Sequence, residues 1–328
     1  MNVFVTRIIP EIGIQLMRDA GIQVISWTEK RDLTQQELIE QCKPCNALLS
    51  AGNNAIDRVF LNECRHLKVI ALLSVGFDGV DISEATRLRI PIGNTPGVVS
   101  GATADTAFLL MLAVSRKAFY MHKKIGNGHW GFSEPTADLG IELEGRTLGI
   151  WGLGKIGFEM ARRCVRTYAM KVIYCNRNNH LEAELELNAV KVSFDELLRQ
   201  SDVLSVHTVL SNETRGTFDR NAFAKMKPSS IFINAARGAI HNEKELIEAL
   251  QTGTIWGAGL DVTYPEPMHV DNPLLDMPTV AVLPHIGTAT VESRNAMSTM
   301  AAENIIAGLS GKRLQHMVNP EVYGDTAN

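Results

Sequence analysis

Long apolar runs are missing from this chain of 328 residues, since none reaches the roughly 18 residues that a helix needs to span a bilayer. An excess of basic charge is missing too, because 32 Lys and Arg are outnumbered by 36 Asp and Glu and the net charge is −4. We therefore expect neither a membrane nor a nucleic acid as partner, and local cations must draw any small anionic ligand. Hydrophobic residues make up 45% of the chain and charged residues 21%, which predicts an ordinary globular protein.

Cysteine is also scarce. The five cysteines are an odd number, and the chain opens with the strand-like NVFVT instead of a signal-peptide pattern. Both features favour the reducing cytoplasm. Cys42 and Cys45 resemble half of a redox or zinc site, but the sequence has no second pair and these two cysteines precede a strand. We assign them no role.

Two successive series of short β-rich runs and helical stretches fill the chain. The first occupies residues 1 to about 95 and includes a helix that opens at the capping box Thr34–Glu37. A long apolar helix from about Ser100 to Ala118 follows, and then a glycine-rich connector, residues 126–145. The second series begins at Thr147. This alternation predicts two α/β domains, each built on a parallel sheet.

The last amphipathic helix follows Gly287 and has no sheet left to extend, so we expect it to return to the first domain. Its apolar side is predicted to consist of Val291, Met297, Met300, Ile305, Ile306 and Leu309. The predicted domains are a discontinuous substrate-binding domain, residues 1–96 plus 292–328, and a dinucleotide-binding domain, residues 97–291.

A glycine-rich turn, Gly152-Leu-Gly154-Lys-Ile-Gly157, lies between the strand-like TLGIW and an amphipathic helix. Gly152 allows a tight turn, Gly154 lets the backbone approach a pyrophosphate, and Gly157 allows close packing of helix on strand. The spacing alone is weak, but the strand before it and the helix after it are the required context. We expect a dinucleotide-binding site there.

The end of the next strand, KVIYC, indicates which nicotinamide dinucleotide is bound. Enzymes that use NAD usually place a carboxylate there for the ribose 2′-hydroxyl, whereas this chain has Asn176-Arg177-Asn178-Asn179. An arginine pairs with a 2′-phosphate, so NADP(H) is favoured over NAD(H). The alternative is that Arg177 is a solvated loop cation and both cofactors are accepted.

Three charged residues each follow an apolar run that is predicted to be a strand: Arg237 after IFINAA, Glu266 after AGLDV and His285 after VAVLP. A guanidinium grips a carboxylate and polarises the carbonyl beside it, while an imidazole supplies a proton and a neighbouring carboxylate favours its charged form. Taken singly each residue could be structural. Together, downstream of a dinucleotide turn, they indicate hydride transfer to a 2-keto acid. The other eight histidines, among them His207 and His241, are expected to be structural.

With these residues the chain resembles the D-isomer-specific 2-hydroxyacid dehydrogenase family over nearly its whole length. AGLDVTYPEP, LPHIGTAT and RNAMSTMAAENIIAGLSG look most like its glyoxylate/hydroxypyruvate reductase and 2-ketogluconate reductase branch. The resemblance implies two Rossmann-like or flavodoxin-like parallel-sheet domains with an active-site cleft between them. The motifs that carry it are Ser74-Val75-Gly76-Phe77-Asp78, the glycine turn, Asn234-Ala-Ala-Arg237-Gly238, Gly259-Leu-Asp261-Val262, Pro265-Glu266-Pro267, Asn272-Pro-Leu-Leu275 and Leu283-Pro-His285-Ile-Gly287.

The resemblance also implies individual roles. His285 becomes the general acid, Glu266 its orienting carboxylate and Arg237 the substrate anchor. The backbone N–H groups of Val75 and Gly76 hold the substrate carboxylate, and Ser74 and Arg294 touch distal hydroxyls, although Arg294 could equally be a surface cation. Besides the three glycines, Asn176 and Arg177, the implied cofactor pocket contains Lys155, Ile156, Val209, Ala235, Asp261 and Gly287.

The expected activity is NADP-preferring reduction of small 2-keto acids, glyoxylate and hydroxypyruvate first, to D-2-hydroxy acids by a homodimer. A 2-ketogluconate reductase is the nearest alternative, and a nucleotide-sensing scaffold similar to the C-terminal-binding co-repressors is the alternative from another class. The chain departs from the pattern of this branch at one place that concerns the size of the substrate. Hydroxypyruvate reductases of this branch often carry a second tryptophan shortly after the one that matches Trp130, and here Gly131 and Phe132 follow instead.

Overall fold

The structure is a computed structural model that describes residues 1–132 and 134–324, and its chain separates into two units. Unit 1 contains Met1–Val99 and the segment from Ala289 onwards, and unit 2 contains Ser100–Thr288. The boundaries expected from the sequence, after residue 96 and before residue 292, lie three residues from these divisions.

Unit 1 contains a parallel sheet of five strands in the order β2-β1-β3-β4-β5. Its strands are β1 (Asn2–Val5), β2 (Gln23–Ser26), β3 (Ala47–Ser50), β4 (Val69–Leu72) and β5 (Ile92–Gly93). The connecting helices are α1 (Glu11–Asp19), α2 (Gln35–Cys42), α3 (Arg58–Glu63) and α4 (Ile82–Arg87). The predicted capping box is confirmed: the Thr34 hydroxyl accepts from the N–H of Glu37, and the Glu37 carboxylate accepts from the N–H of Thr34.

Unit 2 contains a parallel sheet of seven strands in the order β12-β11-β10-β9-β6-β7-β8. Its strands are β6 (Thr147–Trp151), β7 (Lys171–Cys175), β8 (Val190–Lys191), β9 (Val203–Val206), β10 (Ile231–Asn234), β11 (Gly257–Leu260) and β12 (Val280–Val282). Its helices are α5 (Ser100–Ser115), α6 (Ala118–Gly126), α7 (Lys155–Tyr168), α8 (Leu181–Leu187), α9 (Phe194–Gln200), α10 (Arg220–Lys225) and α11 (Glu243–Gln251).

The strand order of unit 2 determines which loops meet. The sheet grows from β6 first through β7 to β8 and then, on the other side of β6, through β9 to β12. The loops after β6 and β9 therefore flank the point where the order reverses, which is where open α/β sheets bind nucleotides. The loops after β10, β11 and β12 are adjacent at the same carboxyl edge of the sheet.

The long helix expected from about Ser100 to Ala118 is α5, which ends at Ser115, and a second helix, α6, which was not expected, begins at Ala118. The chain leaves the helix at Lys117, whose φ of 53° is left-handed and cannot continue α-helical hydrogen bonding. The Ser115 carbonyl, near the end of α5, accepts instead from the N–H of Ile141 at 2.9 Å. Ser115, Arg116 and Lys117 interrupt the apolar sequence at this point, but polar residues also occur inside helices, so the sequence gave no clear sign of the break.

The last helix, α12 (Val291–Leu309), packs in unit 1 against α1, β3 and β4. Its approach is close, because a Cβ on Gly13 would come within 2.3 Å of Ser298 Oγ. Met297 and Ile305 are buried on the predicted apolar side. Val291 is exposed, contrary to expectation, because it is the first residue of the helix and lies more than a turn before Met297.

Candidate active site

Arg237, Glu266 and His285 follow β10, β11 and β12, which are neighbours in the sheet of unit 2. Parallel strands end at the same edge, so the fold brings these loops together as the sequence predicted. The Nδ1 atom of His285 lies 3.0 Å from Oε2 of Glu266, with 46% of the histidine side chain and 25% of the glutamate side chain exposed. One end of the imidazole is held by a carboxylate while the ring stays accessible.

The Glu266 carboxylate is held on both oxygens. Oε1 accepts from the backbone N–H of Thr263 at 3.1 Å, while Oε2 faces His285. Burial alone would raise the pKa of Glu266, but the hydrogen bond and charge of His285, the N–H of Thr263 and the charge of Arg237 outweigh it and lower the pKa. Glu266 is therefore a carboxylate at neutral pH and fixes the proton on the Nδ1 atom of His285.

The backbone at His285 is in the left-handed region, with φ of 55°. Non-glycine residues adopt this conformation at a cost, and it is held here by Asp261, which is 1% exposed. The two Asp261 oxygens accept from the N–H groups of Ile286 and Gly287, both at 2.8 Å. Asp261 and Gly287, both expected in the cofactor pocket, thus also shape the turn that presents the imidazole.

Arg237 begins a short 3-10 turn, Gly238–Ile240, and its Nη1 donates to the carbonyl of Ala236 at 2.7 Å. The next residue lies tightly against the loop of Glu266. A Cβ on Gly238 would come within 1.9 Å of the carbonyl oxygen of Thr263, the same residue whose N–H holds Glu266. The backbones that carry the guanidinium and the carboxylate are therefore in direct contact.

The glycine turn is built as a phosphate cradle. Gly152 has φ of 91°, and a Cβ there would lie 2.5 Å from the N atom of Thr208 in the loop after β9. Gly154 faces open space and is the N-cap of α7. No side chain among residues 1–132 and 134–324 caps this helix, so its first N–H groups are available to a ligand. The turn therefore fits the pyrophosphate of a dinucleotide, with Lys155, Ile156 and Gly157 in the first turn of α7.

The loop after β7 is tied to that turn through Asn176. Its Oδ1 accepts from the N–H of Leu153 at 2.7 Å, and its Nδ2 donates to the carbonyl of the same residue at 2.9 Å. Arg177 is exposed, and its Nη2 lies 2.5 Å from Oε2 of Glu213. Residues 176–179 contain no carboxylate, and the carboxylate beside Arg177 is that of Glu213 in the loop after β9, 36 residues further along the chain.

The other predicted site residues lie in loops of the two units, except Arg294, which lies on α12. In unit 2, Val209 is exposed after β9 and Ala235 is partly buried after β10. In unit 1, the Ser74 hydroxyl donates to the carbonyl of Gly76 at 2.7 Å and Asn94 donates to the carbonyl of Val75 at 2.9 Å.

These contacts in unit 1 leave two N–H groups open. Within the part of the chain that the structure describes, the N–H groups of Val75 and Gly76 donate to no protein acceptor, which leaves them available to an anion. Arg294 is partly buried in the first turns of α12.

Cys42 and Cys45 are buried in the core of unit 1. Among the described residues, no group of three or more His, Cys, Asp or Glu side chains is arranged to hold a metal ion. None of the helices in that part of the chain combines the length and apolar character needed to cross a bilayer.

Three contributors to the site were missed in the sequence: Thr263, Asn234 and Glu213. Thr263 acts through its backbone, which leaves no mark in the residue type. Asn234 holds the N–H of Ala236 and the carbonyl of Arg237, and a polar residue at the end of the apolar run IFIN, three residues before Arg237, was the available signal. Glu213 could be found only from the sheet order, because β9 and β7 flank β6.

Comparison with known proteins identifies the family. Residues 108–287 match the family model described as D-isomer specific 2-hydroxyacid dehydrogenase, NAD binding domain. The glyoxylate reductase of Thermococcus litoralis is 39% identical over 325 residues, which cover 98% of this chain and 97% of that relative. The chain belongs to the D-isomer specific 2-hydroxyacid dehydrogenase family.

Two solved structures share the fold of this dehydrogenase-family chain. The crystal structure of a glyoxylate reductase from Paecilomyes thermophila has a TM-score of 0.86 and 33% identity, and the match covers 98% of both chains. The NADPH-dependent glyoxylate/hydroxypyruvate reductase from Sinorhizobium meliloti, in complex with NADP and malonate, has a TM-score of 0.83 and 28% identity, covering 97% of this chain and 96% of its own. The predicted fold class of two parallel-sheet α/β domains is confirmed.

Proposed function

We propose that this dehydrogenase reduces small 2-keto acids, glyoxylate and hydroxypyruvate first, to D-2-hydroxy acids with a reduced nicotinamide dinucleotide. The observation that carries the proposal is the His285–Glu266 pair, joined at 3.0 Å and adjacent in the sheet to the Arg237 loop. Relatives named glyoxylate reductase and glyoxylate/hydroxypyruvate reductase B support the substrate class.

In the proposed reaction His285 is the general acid. Its Nδ1–H is held by Glu266, so Nε2 is the atom that donates a proton to the carbonyl oxygen of the substrate. After this donation the imidazole is neutral with its remaining proton still on Nδ1, because the carboxylate favours that tautomer. Glu266 thus orients the ring in both states. The bound dinucleotide supplies the hydride that reaches the carbonyl carbon.

Arg237 is the proposed anchor of the substrate carboxylate. The guanidinium pairs with the carboxylate through its planar fork and draws electron density from the neighbouring carbonyl. In unit 1 the N–H groups of Val75 and Gly76 are proposed donors to a carboxylate, and Ser74 and Arg294 are proposed contacts for the distal part of longer substrates. Unit 1 is the substrate-binding domain in this proposal, and unit 2 is the dinucleotide-binding domain.

For the cofactor we propose that the glycine turn and the start of α7 hold the pyrophosphate and that NADP(H) is preferred to NAD(H). Arg177 is the residue that reads the 2′-phosphate, and Glu213 keeps its guanidinium beside the turn until the phosphate replaces the carboxylate. Val209, Ala235, Asp261 and Gly287 complete the nicotinamide side of the pocket. The Sinorhizobium meliloti relative, which is described as NADPH-dependent, supports this preference.

The cofactor assignment is tested by direct binding. Arg177→Ala is expected to weaken NADPH binding about tenfold or more and to leave NADH binding within about twofold. Calorimetric titration with each nucleotide measures both constants. Arg166, an exposed arginine on α7 that pairs with Glu186, supplies the matched control Arg166→Ala. Equal losses for both nucleotides would show that Arg177 does not read the 2′-phosphate.

We also propose a homodimer that acts in the cytoplasm. Five large apolar side chains are exposed along one stretch of unit 2: Leu109, Ile125, Trp130, Phe132 and Leu139. A second copy of the chain that covers this stretch would remove them from water. The five cysteines are all free thiols, which suits a reducing compartment.

The activity itself is tested with a panel of 2-keto acids. Oxidation of NADPH is followed by its absorbance with glyoxylate, hydroxypyruvate and 2-ketogluconate at matched concentrations. We expect glyoxylate or hydroxypyruvate to give the highest kcat/KM. Turnover with none of the panel, despite tight NADPH binding, would contradict the proposal and favour a nucleotide-sensing scaffold.

A further inference from the structure

His241 is a buried histidine beside the Arg237 loop that the proposed reaction leaves without a task. It follows the 3-10 turn Gly238–Ile240 and is only 3% exposed. Its Nδ1 lies 3.0 Å from Nδ2 of Asn234, and its ring packs edge-on against Phe232. Burial lowers the pKa of His241 to about 4, so the ring is neutral at physiological pH.

The partner of His241, Asn234, is fixed by the backbone of the Arg237 loop. Its Oδ1 accepts from the N–H of Ala236 at 3.0 Å, and its Nδ2 donates to the carbonyl of Arg237 at 3.0 Å. A backbone N–H can only donate and a carbonyl can only accept, so the amide has one satisfactory orientation. That orientation directs the second hydrogen of Nδ2 at His241, whose Nδ1 must accept it.

We propose that His241 is a positioning residue for Arg237. Its Nδ1 lone pair holds the Asn234 amide, and the amide holds residues 236 and 237 in the conformation that presents the guanidinium to a substrate carboxylate. The inference rests on the proposed function, because it takes Arg237 as the anchor of a 2-keto acid.

A change in the orientation of the Asn234 amide would also affect the Glu266 carboxylate. Gly238 lies against the carbonyl of Thr263, with no room for a Cβ, and the N–H of Thr263 holds Glu266. An amide that turned to find another acceptor would release the N–H of Ala236 and the carbonyl of Arg237 together. An acceptor at position 241 is therefore needed for substrate binding as well as for packing.

Two polar substitutions of His241 separate the need for an acceptor at Nδ1 from the need for packing. In His241→Asn the side-chain oxygen lies near the former Nδ1 and still accepts from Asn234, whereas in His241→Gln the amide extends towards the former Nε2 and leaves that place empty. We expect His241→Gln to raise the KM for glyoxylate about tenfold and to lower kcat, with the Kd for NADPH unchanged. His241→Asn should stay within about threefold of the wild type in both constants.

A second readout avoids turnover. Oxamate, a 2-keto acid analogue that is not reduced, is titrated into each variant saturated with NADPH. Its Kd should rise about tenfold in His241→Gln and change little in His241→Asn. Arg237→Ala, measured in parallel, establishes how much of the oxamate affinity depends on the guanidinium.

The outcomes separate the inference from the function on which it rests. Equal KM and oxamate Kd in the Asn and Gln variants would overturn the role of His241, even where Arg237→Ala shows that the anchor is correct. Wild-type oxamate affinity in Arg237→Ala would instead remove the anchor itself. If His241→Gln fails to fold, His241→Asn decides the matter: near-wild-type affinity for oxamate supports the role, and a loss as large as that of Arg237→Ala contradicts it.

Discussion

At the scale of single residues, the charged residues of the site were easier to predict than the groups that hold them in place. Arg237, Glu266 and His285 could be found in the sequence because each is a charged residue that follows an apolar run by a few residues at most, and the structure places all three after neighbouring strands. Of the groups that hold them, Glu266 was expected beside His285, but the roles of the Thr263 N–H and of Asp261 in the His285 turn were not expected. Thr263 acts through its N–H and Asp261 through contacts with Ile286 and Gly287, and neither contact has a signature in residue type.

Arg237 gives a prediction at this scale. Arg237→Lys keeps the charge but loses the planar fork, so we expect the KM for glyoxylate to rise about tenfold and kcat to fall about tenfold or more. Steady-state kinetics at saturating NADPH measure both constants. Arg199→Lys on α9, where the arginine pairs with Asp195 on the surface, should stay within about twofold of the wild type. An Arg237→Lys enzyme with unchanged substrate saturation would remove the assignment.

At the scale of elements, the alternation of strand and helix predicted both sheets, but it did not predict the short polar elements. The short strand β8 and the helices α8, α9 and α10 were not predicted, because two to seven residues are too few to establish a period. The order of strands was also beyond the sequence. The order depends on which edge of the sheet each new strand joins. Because β7 and β9 both lie next to β6, the loop after β9 places Glu213 beside Arg177.

The glycine turn gives a prediction at this scale, from two glycines two residues apart. Gly152→Ala must place a Cβ against Thr208 in a left-handed conformation, so we expect it to lower the free energy of unfolding by about 1–3 kcal/mol and to abolish tight NADPH binding. Gly154 has φ of −102° and open space around its Cβ position. Gly154→Ala should therefore change stability by less than about 0.5 kcal/mol.

The alanine at position 154 should still obstruct the phosphates and weaken NADPH binding about tenfold or more. Urea unfolding and calorimetric titration separate the two effects. Wild-type NADPH affinity in a stable Gly154→Ala variant would show that the pyrophosphate does not approach this turn.

At the scale of the whole molecule, His207 and His241 make stability depend on pH. Burial lowers the pKa of each to about 4, against about 6.5 in the unfolded chain. Between these pH values the two histidines are protonated in the unfolded chain but neutral in the folded protein. The free energy of unfolding therefore falls as pH falls from about 6.5 to about 4. Below about pH 4 the two histidines cause no further loss. The expected loss is at most about 3 kcal/mol for each histidine.

The measurement is urea unfolding at a series of pH values, followed by tryptophan fluorescence. His241→Asn removes one of the two buried imidazoles and should make the fall between about pH 6.5 and pH 4 shallower. A variant whose stability falls as steeply as that of the wild type would show that His241 contributes nothing to this dependence.

The proposed homodimer gives the last prediction at this scale. Phe132→Glu combined with Ile125→Glu puts two charges into the stretch of exposed apolar residues, and we expect a monomer in sedimentation equilibrium. Val270→Glu is the control, because Val270 is as exposed as Phe132 but lies in the loop after β11. Dissociation by the control and persistence of the dimer in the double variant would place the interface elsewhere.

Proton donation by His285 is the claim on which the proposed reaction depends, and a single turnover tests it without interference from product release. Enzyme saturated with NADPH is mixed with glyoxylate, and the loss of nicotinamide absorbance is recorded for the wild type and for His285→Gln. We expect the rate to fall about 10²- to 10⁴-fold while the Kd for NADPH stays within about twofold. Hydride transfer at the wild-type rate in His285→Gln would contradict the claim.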